Sequence, residues 1–433
     1  MKLNVFFGNE KAGSLESTEN RGVIFYYDKN YLQNENAAAL SASLPLQSEE
    51  FTQKQCIPFF SGLLPEEDSR KKIADYLHVS ETSTLKLLEA LGGECAGLIS
   101  ILPEKDNVPQ SLLYTLNLEN YEPLDHSRLT DFIEKMNSRP LMKADENLRL
   151  SLAGAQEKLA LANLNGKWYL PLNGAPSTHI LKPARTGSLS SLAQNEYICM
   201  KLAKNFGLPV PEIELLNIAG KDVFVVERYD RIKKEDSIQR LHQEDFCQAL
   251  GIMSTSKYQN DGGPGIADIF DAIKGNCTVP ALETQKFLRY VIFNYLIGNC
   301  DSHGKNYSLL YKHRTVELAP LYDAVSTVIY PGLTDKLSMK IGKHYEIQKV
   351  SKEDFLLLAE NLDIKSSVFL KIFDEFARKS SRSFEALKND EKVSEDILNL
   401  IFATMEERFI KLKNRAVPLQ KGYRPFRRKR KVK

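Results

Sequence analysis

Three side chains in the second half of the sequence have the types and spacing that a phosphoryl-transfer site requires. Asp301 and Asn306 stand in the run GNCDSHGKN, and Asp323 follows the apolar run LAPLY. Phosphoryl transfer needs one group to orient a hydroxyl nucleophile and oxygen ligands to hold magnesium against the phosphates. We predict that Asp301 faces the hydroxyl and that Asn306 and Asp323 bind Mg2+. The alternative for Asp301 and Asn306 is a pair that caps or closes an ordinary turn.

A buried helix must position this loop. Apolar residues recur at helical spacing over residues 283–298, and Gly298 followed by Asn299 is typical of a helix end. The pattern predicts that Asp301 follows directly on a packed helix. Such support matters because a misplacement of about 1 Å can cost on the order of a hundredfold in rate.

A lysine and a loop of small residues are the candidates for the phosphate side of the site. Lys182 lies in a predicted strand, residues 178–183, and its ammonium can reach inward to the phosphates. Glu196, on the following helix, is its candidate ion-pair partner. The small residues of loop 149–158 would let backbone N–H groups approach phosphate oxygens. The alternatives are an exposed strand end, a solvated helix face and a tight turn, respectively.

The segment after these strands offers an adenine site. Glu227, Arg228 and Tyr229 would form a linker between two lobes, where backbone groups meet the adenine edge and Tyr229 covers the ring. The alternative is an amphipathic strand end. His303, two residues after Asp301, could polarise the terminal phosphate or act as a helper acid–base group. It could equally be a hydrogen-bonded loop residue.

The composition is that of a globular protein. The chain has 433 residues, of which 42% are hydrophobic and 26% charged, so we expect two or three domains. No apolar run approaches the roughly 20 residues that span a bilayer, and the first residues do not form a signal peptide. We therefore expect a cytoplasmic protein with no membrane partner. The six cysteines lack C-x-x-C spacing and predict reduced core thiols.

The charge is unevenly distributed. The whole chain has a formal net charge of +2, yet residues 421–433 carry eight Lys or Arg and no acid. We predict that this tail is disordered and can bind a polyanion through counterion release. The alternative is a solvated tail that only adds solubility.

The patterning predicts an α+β fold with two kinase-like lobes behind an accessory domain. Short strands around one helix, followed by a mainly helical part, are the order of a protein kinase. Residues 68–90 are helix-like. The predicted segments are an N-terminal accessory domain (1–105), a connecting segment (106–147), a small lobe (148–230), a helical lobe with the catalytic loop (231–416) and the basic tail (417–433).

Several motifs in this order resemble the HipA family of toxin kinases. They are SLPL at 43–46, FSGLLPE at 60–66, GGECAG at 92–97, S-x-AGAQ-x-K at 151–158 and D-x-H-x-x-N at 301–306. Motifs in a shared order are more specific than any one of them. The resemblance covers nearly the whole chain and leaves out only the basic tail.

The resemblance implies an ATP- and Mg2+-dependent serine/threonine protein kinase, the toxin of a toxin–antitoxin pair linked to persistence. Asp301 matches the family's catalytic base, Asn306 and Asp323 its magnesium ligands, and Lys182 its ATP lysine. Ser151 matches a serine whose autophosphorylation ejects the loop and inactivates the enzyme. The remaining positions that match ATP-binding residues are Ala153, Gly154, Ala155, Gln156, Glu157, Lys158, Glu227, Arg228, Tyr229, His303, Gly304, Lys305 and Tyr322.

The family's partner is a HipB-like helix-turn-helix antitoxin dimer bound to operator DNA, and its protein substrate in the best-known case is glutamyl-tRNA synthetase. Two other functions stay open from the residues alone. One is a DNA-bound corepressor with little kinase activity. The other is a small-molecule kinase of the aminoglycoside type, in which a histidine usually precedes the catalytic aspartate, whereas Cys300 does so here. The intact set of Asp301, Asn306, Asp323 and Lys182 favours an active protein kinase.

Overall fold

The structure is a computed structural model that describes residues 1–18, 22–105, 116–135 and 158–413. Its first part is an antiparallel sheet with strand order β3-β2-β1-β4, packed against helices. Leu3, Val5 and Leu15 of this sheet share one core with Phe60 and Leu88. The elements are β1 (Lys2–Phe7), β2 (Glu10–Thr18), β3 (Gly22–Tyr27), α1 (Lys29–Leu32), α2 (Gln53–Gly62), α3 (Glu67–Leu77), α4 (Thr84–Leu91) and β4 (Ile99–Pro103).

The helix-like stretch predicted over residues 68–90 is two helices. Helix α3 stops at Leu77 because His78 takes a left-handed backbone conformation, with φ of 54°. The N–H of His78 returns to the carbonyl of Asp75 at 3.2 Å and closes the last turn. Both helices bury apolar residues at the same spacing, so periodicity alone did not show the break.

The second part is a six-stranded antiparallel sheet with order β5-β7-β6-β8-β10-β9. Residues 213–218 and 221–227 form a hairpin whose turn lies at Ala219 and Gly220, which both have positive φ. Its elements are β5 (Tyr121–Leu124), α5 (His126–Lys135), β6 (Leu159–Leu164), β7 (Lys167–Pro171), β8 (His179–Pro183), α6 (Leu192–Asn205), β9 (Ile213–Ile218) and β10 (Lys221–Glu227).

The third part is mainly helical, as predicted, but it also contains three small sheets. In one of them β13 pairs with β14, which lies far along the chain, and local patterning does not reveal such a pairing. The elements are β11 (Arg231–Lys234), β12 (Ser237–Arg240), β13 (His242–Asp245), α7 (Phe246–Ala249), α8 (Ile266–Asn276), α9 (Pro280–Ile297), β14 (Ser308–Lys312), β15 (Thr315–Leu318), β16 (Lys336–Ile341), β17 (His344–Glu346), α10 (Lys352–Asn361), α11 (Ser367–Lys388) and α12 (Glu395–Lys413).

One core joins the second and third parts. Helix α6 and strand β10 contribute buried residues to the same cluster as α9, α11 and α12. The sheet and the helical part are therefore joined by continuous packing, which fixes their positions relative to each other. Within the described ranges, each helix is either too short or too polar to cross a bilayer.

Candidate active site

Helix α9 is buried along most of its length and ends at the loop that carries Asp301. Gly298 terminates it with φ of 76°, and the N–H of Asn299 reaches the carbonyl of Asn294 at 2.8 Å. A Cβ added to Gly298 would lie 2.4 Å from Cγ2 of Val328. Backbone conformation and packing therefore both require glycine at the point where the candidate catalytic loop (residues 298–306) begins.

Hydrogen bonds inside the catalytic loop hold its polar residues in one arrangement. The side chain of Asn299 accepts the N–H of Asp301 at 3.0 Å. The N–H of His303 lies 3.0 Å from the carbonyl of Asp301 and 3.2 Å from Oδ1 of Asn306. The predicted spacing of Asp301 and Asn306 thus becomes a closed turn with both side chains on one loop.

Asp323 and Lys182 meet this loop from two other segments. Nδ2 of Asn306 lies 3.4 Å from Oδ2 of Asp323. The ammonium of Lys182 forms ion pairs with Asp323 and, at 2.7 Å, with Oε1 of Glu196. The expected pair between Lys182 and Glu196 is therefore present. Asp323 has a left-handed φ of 53°, a conformation that a residue other than glycine adopts at a cost.

The charges around Asp323 keep it ionised. Burial alone would raise the pKa of its carboxyl, but Lys182 and Lys158 hold that pKa at about 2. For Lys182, burial favours the neutral form, yet Asp323 and Glu196 outweigh it and raise the pKa of the ammonium. The site thus keeps a charged lysine beside an anionic carboxylate, as phosphate and cation binding require.

Asp301 has a neighbour that sequence reasoning missed. Its carboxylate Oδ1 accepts a hydrogen bond of 2.9 Å from the hydroxyl of Tyr258. Partial desolvation by its neighbours raises the pKa of the Asp301 carboxyl, although the residue is exposed, and the bond from Tyr258 acts in the opposite direction. Tyr258 lies shortly before the run DGGPG at residues 261–265, and nothing in its local sequence pattern distinguishes it from a core tyrosine.

His303 is buried and neutral. Burial lowers the pKa of its ring to about 3, and its plane meets that of Tyr258 at 75° with 5.3 Å between centroids. A group with so low a pKa is poorly matched to proton transfer at neutral pH. The helper acid–base role of His303 stays a prediction. Within the described residues its Nδ1 is buried without a hydrogen-bond partner.

Arg228, in the predicted linker, forms ion pairs with the first part of the chain, residues 1–105, called here the accessory part. The guanidinium of Arg228 lies 3.0 Å from Oε1 of the fully buried Glu94 and 2.9 Å from Oδ2 of Asp230. Arg231 pairs with the same two carboxylates. The side chain of Arg228 is therefore directed into this buried ion-pair cluster. The backbone N–H of Arg228 donates a hydrogen bond to the carbonyl of Thr178.

The other predicted nucleotide contacts fall into two groups. The carboxylate of Glu227 pairs with Lys233 at 2.7 Å. Glu227 lies directly opposite His179 in the sheet, so its side chain is on the face opposite to that of Lys182. The rings of Tyr229 and Tyr322 stack at 5.6 Å between centroids. This stack borders the catalytic loop because the hydroxyl of Tyr322 bonds the carbonyl of Lys305 at 2.8 Å.

Gly304 and Lys305 are packed inside the catalytic loop. A Cβ on Gly304 would lie 2.4 Å from Cγ of Pro264, so only glycine fits there. The ammonium of Lys305 pairs with Asp245 at 2.6 Å and with Glu66 at 3.4 Å, which leaves mainly its backbone for a ligand.

The predicted phosphate loop is described only at its end. Lys158 is close enough to Asp323 to affect its pKa. Ser151 and the set Ala153, Gly154, Ala155, Gln156 and Glu157 lie outside the described residues, as do residues 414–433 with the basic tail.

A small sheet-bearing lobe, a helical lobe and the cluster that joins Lys182, Asp301, Asn306 and Asp323 define a protein of the bilobal kinase type. The comparisons with known proteins identify the family. The model of the HipA N-terminal domain matches residues 3–102, and that of the HipA-like C-terminal domain matches residues 150–384. The chain belongs to the HipA family, and its α+β kinase-like fold is that of the family.

Individual relatives agree. The chain is 39% identical over 363 residues to "Putative kinase Y4mE" of Sinorhizobium fredii, across 84% of this chain and 86% of that protein. It is 30% identical over 367 residues to "Serine/threonine-protein kinase toxin HipA" of Shewanella oneidensis, across 82% and 81% of the two chains. A chain in the structure of the Shewanella oneidensis HipA, HipB and operator DNA complex superposes with a TM-score of 0.79 at 26% identity, covering 95% of this chain and 97% of that one.

Proposed function

We propose that the protein transfers the γ-phosphate of ATP to a serine or threonine hydroxyl of another protein. The observation that carries this proposal is the convergence of the Lys182 ion pairs, the Asn306–Asp323 contact and the Asp301 loop at one place in the fold. A module that only assembles on DNA has no need of all four groups. The kinase names of the relatives support the same reaction class.

Each group has a distinct task in this reaction. Asp301 orients the substrate hydroxyl and takes its proton as the oxygen bonds to the γ-phosphorus. The bond from that phosphorus to the bridging oxygen breaks, and ADP leaves with the electron pair. Lys182, held by Glu196, neutralises phosphate charge. The stacked rings of Tyr229 and Tyr322 offer an apolar edge for the base.

The donor set fits magnesium. Asp323 is anionic, and Oδ1 of Asn306 accepts one N–H but keeps a second lone pair. Among the described residues no cluster of three or more His, Cys, Asp or Glu could form a complete metal cage. Two protein ligands suffice for Mg2+, which usually retains waters and takes its other ligands from phosphates. Held by Asn306 and Asp323, the ion would supply positive charge that neutralises the phosphates.

The test is transfer of labelled phosphate. The purified full chain is incubated with γ-labelled ATP, Mg2+ and a cell extract, and the modified proteins are identified by mass spectrometry. We expect incorporation into a limited set of proteins, with an aminoacyl-tRNA synthetase such as glutamyl-tRNA synthetase as one candidate. Asp301→Ala should abolish incorporation while the circular dichroism spectrum is retained. Equal incorporation by the two proteins would refute the assignment of Asp301.

We also propose that Ser151 is an autophosphorylation site. A dianionic group in the phosphate loop would compete with the nucleotide for the same backbone amides. Phosphopeptide mapping after incubation with ATP should locate the label there, and Ser151→Ala should stay active for longer in ATP. Label elsewhere, with Ser151 unmodified, would contradict this site.

A HipB-like antitoxin dimer on operator DNA is the proposed partner. The support is the similarity to a chain in the HipA, HipB and operator DNA complex. The basic tail, with eight Lys or Arg in residues 421–433, would add phosphate contacts as a corepressor. Deleting the tail should make the DNA affinity of the complex less dependent on salt. An unchanged salt slope would exclude the tail from DNA binding.

A further inference from the structure

Residues 254–265, called here the glycine loop, pack directly against the catalytic loop. At one end Tyr258 contacts Asp301 and His303. At the other end Pro264 fills the space beside Gly304, where a Cβ would lie 2.4 Å from its Cγ. The glycine loop therefore touches the catalytic loop at two places, through Tyr258 and through Pro264.

The glycine loop is itself closed and compact. The carbonyl of Tyr258 accepts the N–H groups of Asp261 and Gly263, both at 2.9 Å. A Cβ on Gly263 would lie 2.3 Å from the carbonyl oxygen of Ser256, so the chain must fold back on itself with glycine there. These contacts limit the positions that the Tyr258 backbone can adopt and hence where its ring can lie.

The hydroxyl of Tyr258 controls one oxygen of Asp301. The backbone of Asp301 is held by Asn299 and His303, but neither contact restrains the side-chain torsions. In the described part of the chain, Tyr258 is the hydrogen-bond donor that reaches this carboxylate, through Oδ1 at 2.9 Å. The bond selects one rotation of the carboxylate and leaves Oδ2 for an incoming hydroxyl.

The residue before Tyr258 anchors this loop to the accessory part of the chain. The ammonium of Lys257 is buried and lies 2.9 Å from Oε2 of Glu66 and 2.9 Å from Oε1 of Glu67. Glu66 also lies 3.4 Å from the ammonium of Lys305 in the catalytic loop. One carboxylate from the accessory part therefore contacts cations in both loops, and a buried pair of this kind is costly to break.

We propose that Tyr258 is a positioning residue that fixes the carboxylate of Asp301 for the incoming hydroxyl, and that the accessory part of the chain holds Tyr258 in place through Glu66 and Lys257. This proposal rests on the kinase function proposed above. It gives the accessory part a direct influence on the rate of phosphate transfer, in addition to any role in binding partners.

The first test is Tyr258→Phe in the full chain. Both kcat and the KM for ATP are measured with the protein that is most strongly labelled in the cell-extract experiment above. The ring and its contact with His303 remain, and only the hydroxyl is lost. We expect kcat to fall on the order of tenfold and the KM for ATP to change less than about twofold, because orientation and not nucleotide binding is affected. Tyr26→Phe is the matched control, since it removes a 3.3 Å bond from a tyrosine to Glu16 in the first sheet and should leave kcat unchanged.

The pH profile separates positioning from a general structural effect. Loss of the Tyr258 hydroxyl removes an interaction that lowers the pKa of Asp301, so the acid limb of kcat should move to higher pH. The other charges that act on Asp301, those of Lys257, Glu67 and Asp323, are unchanged in this variant. A lower kcat without that shift, or an unchanged kcat, would overturn the positioning role.

The second test is Glu66→Gln, alone and combined with Tyr258→Phe. If Glu66 acts through Tyr258, the single variant lowers kcat and the double variant is no more than about twofold below Tyr258→Phe alone, since residues in one network are not additive. Fully multiplicative losses would overturn the link to the accessory part. A wild-type protein that transfers no phosphate would refute the kinase function itself, which distinguishes that failure from a failure of the Tyr258 proposal.

Discussion

The ammonium of Lys182 lies between the carboxylates of Glu196 and Asp323, which come from different parts of the chain. Strand β8, helix α6 and the segment after β15 therefore meet at a single cation. Removing one partner of such a buried set leaves uncompensated charge. The stability of the two-lobed core and the geometry of the candidate site are thus linked through the same three residues.

Lys182→Met should lower phosphate transfer by at least about a hundredfold and the free energy of unfolding by about 3 kcal/mol, because two carboxylates then lose their common cation. Urea denaturation and transfer of labelled phosphate measure the two effects. Lys204→Met is the control, since its ammonium pairs with the exposed Glu212 at 2.9 Å and should matter by less than about 1 kcal/mol. Equal losses in the two variants would contradict the role of Lys182.

Gly298→Ala should destabilise the protein by about 2–4 kcal/mol, because the new Cβ adds a packing conflict with Val328 to the cost of a left-handed backbone. Gly220→Ala offers a close comparison, since Gly220 has nearly the same φ, 75° against 76°, and no atom within 4 Å of its added Cβ. It should cost only about 1 kcal/mol. If both variants lose the same free energy in denaturant titrations, the conflict with Val328 has no effect.

Glu375→Gln should reduce stability at neutral pH and have a smaller effect in acid. Hydrogen bonds from Arg289 and Lys379 lower the pKa of Glu375 to about 2, below its ordinary value of 4.5. A depressed carboxyl pKa adds stability above the unfolded value, and this contribution is lost as the pH falls towards the folded value. Because Glu375 is partly exposed, we expect only about 1–2 kcal/mol at pH 7, declining between pH 4.5 and 2. Denaturant titrations of both proteins across this range would measure the difference in their free energies of unfolding. A difference that does not change with pH would contradict the role of the lowered Glu375 pKa.

Glu94→Ala should destabilise the junction between the first sheet and the linker by about 3–5 kcal/mol, since Arg228 and Arg231 would lose a fully buried counter-charge. Glu104→Ala is the control within the same part of the chain, because Glu104 is exposed and pairs with Lys2 at 3.2 Å. It should cost less than about 1 kcal/mol. Hydrogen exchange should show faster opening of β4 and β11 in Glu94→Ala and not in the control. An equal increase in exchange rate throughout the chain would contradict a local effect of Glu94 at this junction.

The catalytic loop could be predicted from local chemistry. Gly298 ends a helix whose apolar spacing is visible in the sequence, and Asp301 and Asn306 lie in the loop that follows it. Such features depend on neighbours a few residues away, so patterning captures them. The break at His78 could not be predicted because the residue that usually forms a left-handed cap is glycine, and a histidine at that position gives no such signal.

Tyr258 and Glu94 could not be recognised in the same way. Tyr258 lies 43 residues before Asp301, and Glu94 lies 134 residues before Arg228. In the sequence alone, neither residue can be distinguished from an ordinary core or surface residue, because its partner is far away in the chain. The same limit applies to the pairing of β13 with β14 in the helical part, because these two strands lie far apart in the chain.

Local patterns in the sequence were enough to predict the kinase-like order of strands and helices, the helix that supports Asp301, and the candidate side chains for a phosphate and its cation. The folded chain was needed to show that Arg228 and Lys305 point into buried ion pairs, that burial lowers the pKa of His303, and that Tyr258 donates a hydrogen bond to Asp301. The difference comes from the range of the interactions. Periodicity and turn chemistry are short-range properties of the chain, whereas charge pairing and burial depend on which distant segments the fold brings together.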